Sequence, residues 1–130
     1  MDDAETLRAL RSMKSVLREG GILVFDQGQS DAMMANPPRF APIVNDRDIS
    51  RLFVMEYLQQ VMLVDVFDFI HTQANFDFRH SSFRVRIRLK NGWDSILAEA
   101  GFTNVNYFGD WDFTPYYKEL SKRLIVVCQK

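Results

Sequence analysis

The feature that most restricts the fold is a pair of short, continuous apolar runs, Ile22-Leu23-Val24-Phe25-Asp26 and Leu124-Ile125-Val126-Val127-Cys128. Runs this short suit strands, and a strand without polar alternation is expected to be covered on both faces, as in parallel sheets. Gly20-Gly21 introduces the first run. Ahead of it, Leu7, Leu10, Met13, Val16 and Leu17 recur at three- and four-residue steps, with Arg8, Arg11, Lys14 and Arg18 mostly between them. That spacing predicts an amphipathic helix. Asp2 and Glu5 have the spacing of a capping box, and Gly20 can take the left-handed conformation that ends a helix.

Between the runs, Gln27 to Asn45 is polar and carries Asn36-Pro37-Pro38 and Pro42, which predicts a long loop without regular structure. Ser50 to Tyr57 could be a helix or a strand, and strand is favoured because Leu52, Phe53, Val54 and Tyr57 are branched or aromatic. Val61 to His71 is rich in valine and phenylalanine. Phe83, Val85, Ile87 and Leu89 then alternate with Arg84, Arg86, Arg88 and Lys90, the pattern of a half-exposed strand. Gln73-Ala74-Asn75 reads as the turn between these two, so an antiparallel layer is expected. Trp93, Ile96, Leu97 and Ala100 form the apolar face of a short helix stopped by Gly101. Thr103 to Phe108 reads as a short strand and Gly109 to Leu120 as an aromatic-rich excursion.

Length and composition narrow the function classes. The 130 residues fall within the ~100 to 200 usual for one domain, and no apolar run reaches the ~18 residues of a membrane-crossing helix. The acidic start, Met1-Asp2-Asp3-Ala4-Glu5, argues against a secretory signal and for the cytoplasm. Cys128 is the only cysteine, which excludes an internal disulfide and a multi-cysteine zinc site. A formal charge of -1 gives no general call for nucleic acid.

Three stretches, taken in order, carry a resemblance. They are Leu17-Arg18-Glu19-Gly20-Gly21 with the strand to Asp26, then Ile96-Leu97-Ala98-Glu99-Ala100-Gly101-Phe102, and the tail Leu124 to Lys130. Together they resemble the carboxy-terminal half of a class I S-adenosylmethionine-dependent methyltransferase. Phe108-Gly109-Asp110, Pro115-Tyr116 and Ser121 to Arg123 are similar to the small-molecule subgroup that includes glycine and sarcosine N-methyltransferases. The resemblance implies an α/β fold: the last three strands and two helices of a Rossmann-like sheet, with an antiparallel β cap inserted. Residues 1–28 and 91–130 would be the partial core of a single domain, and 29–90 the cap that closes over substrate.

The same resemblance implies what is absent. In this family the cofactor lies against a glycine-rich turn after the first strand, where a backbone without side chains can approach it. The six glycines here include no Gly-x-Gly. S-adenosylmethionine is therefore expected to bind only with a complementary amino-terminal half. The strand Ile22 to Asp26 would also present a hydrophobic edge, expected to be closed by a second copy, by an amino-terminal companion or by a rearranged cap strand.

Several constellations are candidates for chemistry. Asp26 and Asp31 lie at the carboxyl end of the first buried strand, where open α/β sheets place ligands, or both serve turns there. The subgroup's arginine, a clamp for an amino-acid carboxylate, has no counterpart among Gln27, Gly28, Gln29 and Ser30. The basic stripe of Arg84, Arg86, Arg88 and Lys90 either attracts an anion or is an outer face paired with Asp65, Asp68 or Asp77. His71 and His80 could serve as bases or ligands, but no third group joins them in sequence. Trp111, Phe113, Tyr116 and Tyr117 make either an aromatic wall for a cation or a small satellite core, and Cys128 reads as a buried strand residue.

The resulting expectation is the substrate-side portion of a small-molecule methyltransferase, inactive as this chain alone, with Asp26, Gln27, Arg39, Phe40 and Tyr116 as substrate neighbours. No catalytic residue is assigned. The competing expectation is a non-catalytic dimerising or scaffolding module derived from such an enzyme, and a third is an anion-binding protein using the arginine strand. Partners would be a small molecule and either a homo-oligomer or an amino-terminal companion, with no nucleic acid and no membrane.

Overall fold

The computed structural model describes residues 2–71 and 75–130. Among them lie α1 (Asp3–Val16), β1 (Ile22–Asp26), α2 (Asp31–Ala35), β2 (Phe40–Asn45) and β3 (Ile49–Leu58), followed by β4 (Val61–His71), β5 (Phe76–Arg86), α3 (Lys90–Glu99), β6 (Thr103–Phe108) and β7 (Ile125–Gln129). They form two compact units, Met1–Asn36 with Arg88–Lys130, and Pro37–Ile87.

The first unit is a three-stranded sheet of order β1-β7-β6 with helices α1 and α3. The capping box forms: Asp2 accepts from the Glu5 N–H and Glu5 accepts from the Asp2 N–H, each at 2.8 Å. Helix α1 ends at Val16, earlier than Gly20 suggests. Gly20 does take a left-handed conformation, at φ 72°, but in the turn that feeds β1. Leu10 is buried, whereas Met13 and Val16 are exposed, so the covered stripe is narrower than the apolar one.

Strand β7 is central, antiparallel to β1 (Val24 opposite Val127) and to β6 (Tyr107 opposite Val126). Its Ile125, Val126 and Cys128 are buried, and Val126 and Cys128 join Leu10, Trp93, Ile96, Leu97, Phe102 and Leu124 in the core. Full burial of a side chain such as Leu97 stabilises by about 1.5–3 kcal/mol. The α3 helix carries Trp93, Ile96 and Leu97 inward, and Gly101 at φ 82° closes it. Burial raises the Cys128 thiol to about 11, which fits an inert strand residue.

Strand β1 departs from its expected double cover. Leu23 and Phe25 pack on the core, but Ile22 is 60% and Val24 46% exposed. Its free edge has no strand beside it among the described residues, so a rearranged cap strand does not close it. The run is apolar at alternate positions that this chain leaves uncovered.

The second unit is an antiparallel meander of order β2-β3-β4-β5. Strands β3 and β4 pair from Ile49–Ile70 to Leu58–Val61, and β4 and β5 from Val61–Arg86 to His71–Phe76. Met55, Met62, Val64 and Val66 are buried on one face. The expected loop from Gln27 to Asn45 proves to contain α2 and β2. Proline is tolerated at Pro42 because β2 is an edge strand, with a register shift between Pro42 and Val44. The alternating segment begins earlier than expected, at Phe76, and its strand ends at Arg86, before Ile87, Arg88 and Leu89. Of the expected turn, Gln73 and Ala74 lie outside the described residues.

Candidate functional site

The chain leaves β1 at Asp26, and the Gln27 N–H extends the ladder by one bond to the Leu124 carbonyl at 3.0 Å. The backbone then turns sharply. Asp26 Oδ1 accepts from the Gly28 N–H at 2.7 Å, and Gly28 takes φ 75°, a conformation glycine adopts without steric cost. Gln27 Nε2 donates to Gln29 Oε1 at 2.7 Å. Ser30 is buried, and its hydroxyl caps α2 by accepting from the Met33 N–H at 3.1 Å.

Two side chains from the segment between β6 and β7 close this loop. Tyr116 donates its phenol hydrogen to Asp31 Oδ2 at 2.7 Å and accepts from the Asp31 N–H at 2.9 Å. Burial, and then the Asp31 carboxylate, push the phenol up to about 12, so it remains a hydrogen-bond donor near neutrality. Arg123 forms an ion pair with Asp26 Oδ2. The result is a rim of two carboxylates, two amides, a phenol and a guanidinium at the carboxyl end of β1.

Of the five expected substrate neighbours, Asp26, Gln27 and Tyr116 meet at this loop, Tyr116 by way of Asp31. Arg39 and Phe40 belong to the other unit, where the Arg39 carbonyl accepts from the Met55 N–H at 2.8 Å and Phe40 is 63% exposed. Asp31 is a first-turn residue of α2 gripped by Tyr116, while Asp26 combines a turn with an ion pair. Arg123 carries part of the resemblance in sequence, but nothing there places it against Asp26. An arginine does stand at this strand end, but it comes from the far end of the chain.

The basic stripe does not survive as one face. Arg88 pairs with Asp3 and lies 5.0 Å from the Trp93 ring, and Lys90 opens α3 and pairs with Asp94 at 2.8 Å. The aspartates expected to pair with it take other partners: Asp65 bonds His80 at 2.8 Å, Asp68 bonds Arg51 at 2.7 Å and Asp77 bonds Arg79 at 3.0 Å. His71 and His80 stand opposite Phe76 and Phe67, four positions apart along the same ladder. The aromatic excursion forms no satellite core either. Tyr116 packs on the main core, the Phe113 ring meets Phe108 edge-on at 5.3 Å, and Trp111 and Tyr117 are exposed. A shallow depression lined by Ile22, Asn104, Asn106 and Gln129 lies at the opposite end of β1 from Asp26.

Comparison with known proteins gives no match to any protein-family model and none to curated proteins by sequence. Solved structures do match. An S-adenosylmethionine-dependent methyltransferase from Clostridium acetobutylicum superposes with a TM-score of 0.82 at 11% identity, over 98% of this chain and 52% of that one. The CcbJ methyltransferase of Streptomyces caelestis gives 0.76 at 16% identity, over 97% and 53%. The sugar N-methyltransferase KedS8 of a Streptoalloteichus species gives 0.75 at 20% identity, over 99% and 50%. The chain thus spans about half the length of the structures it matches, and its mixed α/β fold with antiparallel sheets matches a partial S-adenosylmethionine-dependent methyltransferase fold, consistent with a carboxy-terminal half. Among the described residues, no helix is long and apolar enough to cross a membrane.

Proposed function

We propose that this chain is the substrate-side portion of an S-adenosylmethionine-dependent methyltransferase acting on a small polar molecule with an amine or hydroxyl to be methylated. The observation that carries the reading is a fold likeness over nearly the whole chain to about half of each methyltransferase. The rim at the end of β1 supports the substrate class. Asp26 and Asp31 suit an ammonium or sugar hydroxyls, Gln27 and Gln29 add amide donors and acceptors, and Tyr116 and Arg123 add further donors. A sugar amine, the kind of acceptor in the name of KedS8, fits that donor set. Such groups accelerate methyl transfer by orienting the acceptor, which attacks through the lone pair of its free amine or hydroxyl and gives up its proton to solvent.

The cofactor itself does not fit the described residues. A glycine cradle needs backbone open to a ligand, yet a Cβ on Gly21, Gly92, Gly101 or Gly109 would run into the chain's own atoms. Gly28 alone opens onto free space, within the loop next to Asp26. We therefore assign the cofactor contacts to an amino-terminal half laid along the free edge of β1, with Ile22 and Val24 as its apolar seat. The missing cradle also favours a second reading, a non-catalytic module derived from a methyltransferase. The test is transfer of labelled methyl from S-adenosylmethionine to an amino sugar, using this chain mixed with such an amino-terminal half. Transfer that falls at least tenfold in Asp31→Asn supports the enzyme reading, and absence of transfer from the reconstituted pair supports the module.

A further inference from the structure

Phe113 is held where a bulky residue is rarely found. Its φ of 64° lies in the left-handed region, and the residue is 60% exposed, so no deep burial offsets the strain. The loop around it pins that conformation. The Gly109 N–H donates to the Thr114 carbonyl at 2.8 Å, the Phe113 N–H to the Asp110 carbonyl at 3.2 Å, and the Thr114 N–H to Asp112 Oδ1 at 2.9 Å. Strained positions fixed from several sides cluster where ligands are gripped.

The sheet beneath shows where the ring stands. It meets the Phe108 ring at 5.3 Å and 89°, edge to face. Phe108 ends β6 opposite Ile125 of β7, and Ile125 is also opposite Asp26, the last residue of β1. Opposed residues share a face, so Asp26 and Phe108 lie on one face and at one end of the sheet, two strand spacings or about 10 Å apart. An exposed, pre-set aromatic ring thus stands against the row that carries the carboxylate.

We propose that Phe113 is a specificity-determining residue, its ring stacking on the apolar face of a sugar ring whose amine is taken by the carboxylate rim. This rests on the acceptor site proposed at the end of β1 and adds a ring requirement to it. Polar groups alone would hold an open-chain amine as well as a cyclic one. An aromatic face discriminates, because it gains contact only where the ligand presents a flat apolar surface. The strain at Phe113 is then retained for the ligand and not for the fold.

Glucosamine and 2-aminoethanol, titrated into the full chain and followed by NMR of the phenylalanine rings, test this without cofactor or methyl transfer. Glucosamine should shift the Phe113 and Phe108 ring signals saturably, and 2-aminoethanol should bind about fivefold more weakly or worse. Phe113→Asn installs a residue that takes the left-handed conformation readily. It should keep or raise the urea unfolding midpoint while weakening glucosamine binding about fivefold or more. No saturable shift with glucosamine, equal affinity for the two amines, or unchanged affinity in Phe113→Asn would each overturn the proposal. If Phe113→Asn lowers the midpoint or is unfolded by circular dichroism, two further variants decide: Phe113→Tyr, which keeps the ring, should keep the affinity, and Phe113→Leu should lose it. Ring-dependent binding that persists while the reconstituted pair transfers no methyl would support the aromatic contact and count against the enzyme reading alone.

Discussion

Tyr116 joins the last loop of the first unit to the segment after β1 through two hydrogen bonds to one residue, Asp31. Tyr116→Phe is expected to lower stability by about 1–2 kcal/mol, read from urea unfolding, because it leaves a carboxylate and an N–H without that partner. The phenol is held above its ordinary value of about 10, so its contribution is complete below pH 10 and fades as pH rises through about 12. Gly109 makes a second residue-scale test. A Cβ there would collide with the Ser121 hydroxyl, which is fixed by accepting from the Tyr117 N–H at 2.8 Å. Gly109→Ala should cost about 1–3 kcal/mol in the same measurement. The sequence marked Asp26, Gln27 and Tyr116 but could not show Arg123 closing on Asp26, because nothing in local spacing connects residues 97 positions apart.

At the scale of elements, the strands with clear periodicity were legible and the exceptions have physical causes. Strand β6 runs from Thr103 to Phe108 as its residues suggest. Strand β2 was invisible because Pro42 breaks the usual strand composition, and only its place at an edge makes that harmless. Arg88 and Lys90 continue the alternation of β5 in sequence, yet belong to a turn and a helix that period two does not describe. Strands β3 and β4 share an ion pair in which Arg51 donates two hydrogen bonds to Asp68. The hydrogen bond from Arg51 holds the Asp68 carboxyl below its ordinary value, so the pair's stabilisation is present above about pH 4 and is lost as pH falls through the lowered value. Acid titration of the unfolding midpoint should therefore show a decline that Asp68→Asn makes shallower.

At the scale of the molecule, the order of motifs carried more information than any one of them. Helix, Gly-Gly, apolar strand, insertion, Ala-Gly-Phe and a final apolar strand carried the resemblance to the last three strands of a larger sheet, and the structure has three strands there, in the order β1-β7-β6. What could not be read was which apolar positions this chain covers by itself. Ile22 and Val24 look buried in sequence because their hydrophobicity suits a larger sheet than the described residues form. The central claim, that this chain supplies the substrate side and leaves the cofactor cradle to an amino-terminal half, is tested most directly by calorimetry with S-adenosylmethionine. No binding heat is expected with this chain alone, and saturable binding once the amino-terminal half is added. Saturable binding by the isolated chain would contradict it.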